Sequence, residues 1–376
     1  MQSGTKPPHN EHMAEHSNTP IKGRGAASRL AGRFETQTVD VVHDGWDSPE
    51  AEEFSAGKLR TTVTEETARS IITYNQSPDV GFSRSINPYR GCEHGCVYCF
   101  ARPTHAYLNL SPGLDFESRL FAKTNAPELL RKELSNRNYR PEPIALGINT
   151  DAYQPVEKDL QLSRRVLGVL QAAQHPVIIV TKSALVLRDL DILSEMAGKG
   201  LARVYLSVTT LDNPLSARLE PRAAAPHTRI KTIQRLREAG IEVGVLLAPV
   251  IPALNDREIE QIMQAVREAG AGSIGYVMLR LPNELKALWR EWLQLHYPDR
   301  ARHVISLIQQ MHQGKDYDAS FGIRMRGSGP FADLIEQRFQ IAYRKLGFRP
   351  FDAMDCSQFV APRRPSAQPD LFDLPA

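Results

Sequence analysis

The sequence predicts an α/β protein built from a repeated β-α unit, and three observations carry that prediction. Apolar runs of strand length alternate with amphipathic stretches of helical length between residues 143 and 297. Gly200, Gly240 and Gly270 stand where three of those helices would end, as a left-handed cap requires. The apolar runs are continuous rather than alternating, which is how parallel strands covered on both faces read. A doubly wound sheet and a β/α barrel both close such a repeat.

The elements follow in order. Residues 1–60 read as a mostly disordered tail: up to position 34 the large aliphatic residues are Met1, Met13, Ile21 and Leu30, too little apolar surface to offset ordering entropy. His9, His12 and His16 fit a solvated tail better than a metal site, and the Gly-rich basic stretch 22–35 (KGRGAASRLAGRFE) reads as a flexible lead-in. A core spans 61–297. Residues 83–92 (SRSINPYRGC) supply its first strand with a helix after it. PIALGIN (143–149), HPVIIVTK (175–182), ARVYLSVTT (202–210), IEVGVLLAPVIP (241–252) and SIGYVMLRLP (273–282) supply five more, each followed by an amphipathic helix. Residues 298–360 form a helical extension, and 361–376 a flexible tail.

Composition narrows the class. With 376 residues, 41% hydrophobic and 24% charged, the chain can bury a sizeable core and is neither fibrous nor wholly disordered. Its apolar runs fall short of the ~20 residues of a membrane helix, and its N-terminus lacks the apolar segment of a secretory signal. A cytoplasmic location and no membrane partner are expected. A net charge of +3 does not diagnose nucleic-acid binding.

Of four cysteines, Cys92, Cys96 and Cys99 are spaced Cys-x3-Cys-x2-Cys just after the first strand, in RGCEHGCVYCFAR. Dispersed disulfides would not cluster so. Three thiolates on a short loop can hold three irons of a [4Fe-4S] cluster and leave the fourth open. Zinc would need a fourth ligand, for which His94, His105 or Cys356 are available, although a second CxxC knuckle is missing.

The trio with Tyr98 before its last cysteine, set after strand one of a β/α repeat, resembles the radical S-adenosylmethionine (SAM) superfamily. NTDAYQPVE (149–157), TKS (181–183), SVTTLD (207–212), LEPR (219–222) and APVIPALND (248–256) resemble its spore-photoproduct-lyase-like branch, also described as DNA repair photolyases. The resemblance covers roughly residues 83–282 and implies a partial (β/α)6 TIM-like barrel. It implies a [4Fe-4S] cluster on Cys92, Cys96 and Cys99, S-adenosyl-L-methionine chelated at the open iron, and reductive cleavage to a 5'-deoxyadenosyl radical that takes hydrogen from substrate. It also implies a reducing electron donor such as flavodoxin or ferredoxin.

Barrel sites gather at the C-terminal ends of the strands, so residues there carry the further expectations. Lys182 and Ser207 suit the SAM carboxylate, although a strand-end lysine can be simply solvated. The resemblance places Thr150 and Asp151 at the SAM amino group; Asp151 suits an N-cap or turn equally well. Thr209 and Glu220 suit the ribose hydroxyls. Tyr98 would pack beside the adenine or shield the cluster, and backbone groups of 276–280 would meet the adenine.

The lyase itself is thought to return a hydrogen atom from a cysteine outside the motif. Here the extra cysteine is Cys356, far outside the barrel, and a bystander thiol is its plainer role. Arg324 and Arg326, with Gly327, Gly329, Phe331 and Phe339, suit phosphates and bases of a nucleic acid; a solvated helix over the barrel edge accounts for the same residues. Gln368, Leu371 and Phe372 in QPDLFDLPA resemble the peptide by which bacterial DNA-processing proteins dock on the sliding clamp, with Pro369 departing from it. The expected function is radical SAM chemistry on damaged or modified nucleic acid. The alternatives are a metal-binding DNA-associated adaptor without SAM chemistry, and modification of RNA, peptide or a small molecule on the same barrel.

Overall fold

The computed structural model describes residues 20–35 and 59–363. Ten strands occur among them: β1 (Thr62–Glu66), β2 (Ile72–Tyr74), β3 (Arg84–Ile86), β4 (Tyr89–Arg90), β5 (Arg119–Lys123), β6 (Ile144–Leu146), β7 (Val177–Thr181), β8 (Ala202–Ser207), β9 (Glu242–Val250) and β10 (Ser273–Met278). The main sheet runs β10-β9-β8-β7-β6-β3-β2. From β3 to β10 every neighbouring pair is parallel and in sequence order, and β2 alone runs antiparallel, on β3. The two edge strands do not pair, so the sheet stays open. Successive parallel pairs require crossovers, and helices supply them between β6 and β10.

The sequence explains the elements closely. Val177, Ile179, Val204, Leu206, Val243, Val245 and Leu247 are β-branched or leucine side chains with no more than 1% exposure, packed into one core under the helices. In the helix Ile259–Glu268 the buried residues are Ile259, Ile262, Met263 and Val266, the spacing of one helical face. Gly200, Gly240 and Gly270 have φ of +70°, +78° and +100°, as expected of helix C-caps. A second core joins Trp289, Trp292 and Leu293 of the helix Leu285–His296 to Cys96, Val97 and Tyr98, so the helix after the last strand packs against the cysteine loop.

Two expectations differ from what is found. The first strand is not continuous over 83–92: it stops at Ile86, and after Asn87-Pro88 the chain re-enters as β4 in a separate sheet ordered β1-β5-β4. Proline cannot donate to the ladder and keeps the residue before it out of the helical region, so the chain breaks there and turns outward. No single helix follows it; a 3-10 turn (Arg102–Leu108), a short helix (Leu114–Ser118), β5 and the helix Ala126–Leu134 fill the connection to β6. Residues 20–35 of the expected disordered tail are placed on the body, with Ile21, Arg24, Ala26 and Ser28 buried. Polar backbone bonds rather than apolar mass hold them, which a hydrophobicity count does not register. Residues 1–19 and 36–58 of that expectation, and Gln368, Leu371 and Phe372 of the clamp-like peptide, lie outside the described residues.

Candidate active site at the strand ends

Cys92, Cys96 and Cys99 lie on the loop that follows β4, with Cys92 and Cys96 buried and Cys99 half-buried. The loop is gripped on several sides. Its Glu93 amide donates to Gln154 (2.8 Å) and Gln154 donates to the Gly91 carbonyl (3.2 Å). The Val97 amide donates to Leu219 O (3.1 Å), and Arg222 pairs with Glu93 (2.9 Å) while its amide donates to His94 O (3.2 Å). Arg102, fully buried, donates to the carbonyls of Cys96 (2.8 Å) and Gly95 (3.2 Å) and pairs with buried Glu117 (2.9 Å). Such a loop is fixed before any ligand arrives.

The three thiols sense one another. Burial pushes the Cys92 thiol well up, with Asp151, Cys96 and Cys99 adding to it. Burial also pushes Cys96 up to about 12, against the pull of Lys182. As bare thiols Cys92 and Cys96 stay protonated, and only a metal would draw those two thiolates out.

Beside them, a cation past the end of β7, a hydroxyl past the end of β8 and a carboxylate at the C-terminus of the helix Asn213–Leu219 converge. Glu220, with its side chain wholly buried, accepts from the Tyr98 hydroxyl, from Thr209 Oγ1 (2.7 Å) and from Arg229. Tyr98 and Thr209 hydroxyls lie 3.2 Å apart, and Thr209 also reaches Ala248 O (3.2 Å). Arg229 donates to Ser207 O (3.0 Å) and Ala224 O (2.7 Å), tying the end of β8 to the helix Pro226–Glu238. Burial opposes the Glu220 charge, but Arg229 and Lys182 outweigh it and hold its pKa low. Lys182, one residue past β7, has its Nζ 5.8 Å from the Tyr98 ring centroid. Burial opposes its charge too, and Cys96 and Glu220 raise its pKa nonetheless. Neither its ammonium nor the Ser207 hydroxyl makes a hydrogen bond among the described residues.

The structure brings Tyr98, Lys182, Ser207, Thr209 and Glu220 together, and it commits Thr150 and Asp151 to the scaffold. Thr150 Oγ1 donates to Tyr89 O (3.1 Å). Asp151 accepts from Thr181 Oγ1 (2.7 Å), the Lys182 amide (2.7 Å) and the Tyr153 amide (2.9 Å), with His94 Nδ1 at 3.2 Å. Burial opposes its ionisation, yet His94 and the donated bonds hold it at about 2. Asp151 thus clasps the cysteine loop to the end of β7 and sets the backbone of Lys182. The amides of Met278 and Leu279 are likewise engaged, with Met325 O (2.9 Å) and Val250 O (3.0 Å).

Outside this group, Arg324 pairs with Asp79 (2.5 Å), and Arg326 lies over the Tyr276 ring at 3.9 Å and 3.4 Å from Glu336. Their charges are matched inside the protein. His105, offered above as a zinc ligand, is buried against Arg119 O (3.0 Å). Cys356 lies at the opposite end of the sheet: its loop carries Phe359 onto Tyr139 and His175, and Gln358 onto Lys199, residues that precede β6, β7 and β8. Sequence reasoning missed Arg229, Arg102 and Glu117. Arg229 carried a faint signal, a charge on the same helical face as Ile233 and Leu236.

A mixed α/β fold with a sheet of parallel strands, and a buried cysteine loop at the strand ends, define a class of iron-sulfur enzyme. The radical SAM superfamily profile matches residues 86–266. An uncharacterized protein of Mycobacterium tuberculosis is 37% identical over 238 residues, 63% of this chain and 69% of the relative. One of Methanocaldococcus jannaschii is 32% identical over 173 residues, 46% of this chain and 62% of the relative. Among solved structures, spore photoproduct lyase complexed with dinucleoside spore photoproduct superposes with a TM-score of 0.55 at 16% identity, covering 76% of this chain and 80% of that one. A mutant of that lyase with bound AdoMet and the same dinucleoside gives 0.54 at 16% identity over 82% of this chain and 86% of that one. The chain belongs to the radical SAM superfamily and is a radical SAM enzyme. Its cofactors are a [4Fe-4S] cluster and SAM, and it needs an electron donor.

The donor set fits that cluster. No group of three His, Cys, Asp or Glu side chains among the described residues converges on a single ion. A cubane takes each thiolate on a different iron, so its three sulfurs need not meet at one point, whereas a zinc ion would require that they do. No helix among the described residues is long and apolar enough to cross a membrane.

Proposed function

We propose that Cys92, Cys96 and Cys99 hold the cluster in a partial barrel of six β/α units, and that the enzyme acts on nucleic acid in the cytoplasm with flavodoxin or ferredoxin as donor. Cys92, Cys96 and Cys99 would hold the cluster, which when bound would supply the one electron for cleavage of the SAM sulfonium to methionine and a 5'-deoxyadenosyl radical. The chain's own groups bind and orient the SAM. Lys182 offers an unpaired ammonium and Ser207 a free hydroxyl to its carboxylate, and Glu220 with Thr209 offers acceptors to its ribose. Tyr98 fills the space between Lys182 and Glu220 and keeps water from it.

The observation that supports a nucleic-acid substrate is a cation over an exposed ring beside the cysteine loop. Phe100, next to Cys99, is 39% exposed and lies 5.0 Å from the Arg280 guanidinium at the end of β10. Among the described residues Arg280 makes no ion pair within 4 Å, and Asp79, which senses its charge from farther away, pairs with Arg324 instead; its longer contacts are Tyr317 OH at 3.5 Å and Met325 Sδ at 3.6 Å, and its buried Nε bonds nothing among those residues. A base stacked on Phe100 and a phosphate on Arg280 would complete both.

The test is anaerobic. Protein reconstituted with iron and sulfide is given SAM and dithionite, and 5'-deoxyadenosine is measured beside Cys96→Ala. The wild type is expected to form it and the variant not; stoichiometric zinc with no deoxyadenosine would refute the assignment. Arg280→Ala is expected to keep deoxyadenosine formation and to bind a single-stranded oligonucleotide roughly tenfold more weakly, the worth of one stacking and charge contact. Unchanged oligonucleotide affinity would refute the substrate class alone.

A further inference from the structure

We propose that residues 20–35 are a strap that locks the cysteine loop in its ligating geometry through the buried Glu117–Arg102 pair, so that docking of the strap and binding of the cluster are coupled. The inference rests on the cluster being held by Cys92, Cys96 and Cys99. Glu117 has no exposed side-chain surface and accepts three donors: the Gly25 amide (2.8 Å), the Ala26 amide (2.9 Å) and Arg102 (2.9 Å). Arg102 in turn holds the Cys96 and Gly95 carbonyls and those of Pro112 (3.1 Å) and Gly113 (2.7 Å). Two of the three groups that solvate a buried carboxylate therefore come from the strap, and the third is the group that fixes the backbone of a cluster ligand.

The approach is as close as backbones allow. A Cβ at Gly25 would overlap the carbonyl oxygen of Gly95, so glycine at 25 is required by contact with the loop itself. Ile21 and Ala26 pack in one apolar group with Cys96, Val97 and Tyr98. Arg24 donates to the Glu117 carbonyl, to Leu59 O (2.6 Å) and to Thr61 Oγ1 (3.0 Å), and Thr61 donates to Glu93 of the loop (2.6 Å). Further along, the Leu114 amide donates to Ser28 O (3.1 Å), Ser111 donates to Leu30 O (2.7 Å), and Arg33 pairs with Glu284 (2.9 Å).

When the strap leaves, Glu117 keeps one donor and its charge is under-compensated in a dry site. The pair must then shift or admit water, and the Cys96 carbonyl shifts with it. Coupling of this kind is reciprocal: what the strap adds to cluster affinity, the cluster adds to strap docking. Glu117 and Arg102 are positioning residues, since their side chains bond backbone and each other rather than the thiols.

Tryptic cleavage after the buried Arg24, followed by mass spectrometry on the full chain, is expected to be at least about fivefold slower in the reconstituted protein than in the apo form. Gly25→Val is expected to cut rapidly in both forms and to lose the visible absorbance of the cluster in air at least about fivefold faster than wild type. Glu117→Gln is expected to bleach faster as well and to change the electron paramagnetic resonance line shape of the reduced cluster, which a merely structural residue would leave alone. Gly25→Ala serves if the valine variant fails to fold. Equal cleavage of apo and reconstituted protein, or a cut strap with unchanged bleaching, would overturn the coupling. A wild type that takes up no cluster would instead overturn the ligand assignment.

Discussion

Replacing Glu220 by glutamine tests whether the polar group beside the cysteine loop is held by its charge. The side chains of Glu220 and Arg229 are 0% and 2% exposed, and they pair directly. Glutamine keeps the shape and one acceptor. It leaves the Arg229 guanidinium buried without a counter-charge, and it turns an amide NH2 toward groups that now donate to the carboxylate. Breaking one side of such a pair costs about 3 kcal/mol or more, whereas replacing both sides with apolar groups can be nearly neutral. For a chain of this size that is a fall in melting temperature of roughly 4 °C or more. Calorimetry of Glu220→Gln, Arg229→Met and the double variant is the assay. The double variant is expected to recover most of the loss, because the unpaired charge has gone. Its SAM affinity is expected to stay weak, since the carboxylate proposed to accept from the ribose is missing even in a restored fold. A single variant that melts within a degree or two of wild type would refute the electrostatic account, and a double variant that binds SAM normally would refute the ribose role.

Two pH dependences follow from buried groups. Asp151 is held at about 2 against an ordinary 3.8, so it binds fewer protons folded than unfolded; its contribution of about 2.5 kcal/mol is full above pH 4 and is lost as the pH falls through 2. Asp151→Asn should flatten acid unfolding in that window, and an unchanged profile would refute the assignment. His175 is buried and lowered to about 4, chiefly by burial, accepting at Nε2 from Tyr139 (2.7 Å) and donating from Nδ1 to Pro176 O (3.0 Å). Being neutral in the fold and protonated when unfolded below about 6.5, it should cost stability as the pH falls from 6.5 to 4, by about 3 kcal/mol. His175→Gln should remove that slope in denaturant titrations between those pH values.

How far the sequence could be read differs between core and site. Strand and helix identity from residue 143 onward was legible because each element buries one regular set of apolar side chains, as Ile259, Ile262, Met263 and Val266 do. The break at Asn87-Pro88 had a local cause and was legible in principle, but the apolar residues on either side of it hid the proline's effect. The ordered segment at 20–35 had no such signature. Its attachment depends on backbone amides meeting a carboxylate 91 and 92 residues away, and no periodicity encodes that. The cysteine spacing singled out the three thiols proposed as ligands. What prepares them, Glu117, Arg102 and the Asp151–His94 clasp, comes from positions that meet only in the folded chain.

The same division explains why Asp151 reads so differently before and after folding. At a strand end in an α/β protein a carboxylate is a candidate ligand contact by position alone. Once folded, its two oxygens face Thr181, two backbone amides and His94, leaving it no lone pair directed at a small molecule in the arrangement observed. Lys182 is the converse. Its amide is fixed by Asp151 and its ammonium is left over Tyr98 with no bonded partner among the described residues. The carboxylate is thus spent within the fold while the neighbouring cation is left without a bonded partner, and under the SAM role proposed for Lys182 a substitution at Asp151 should weaken SAM binding by misplacing that ammonium rather than by removing a contact.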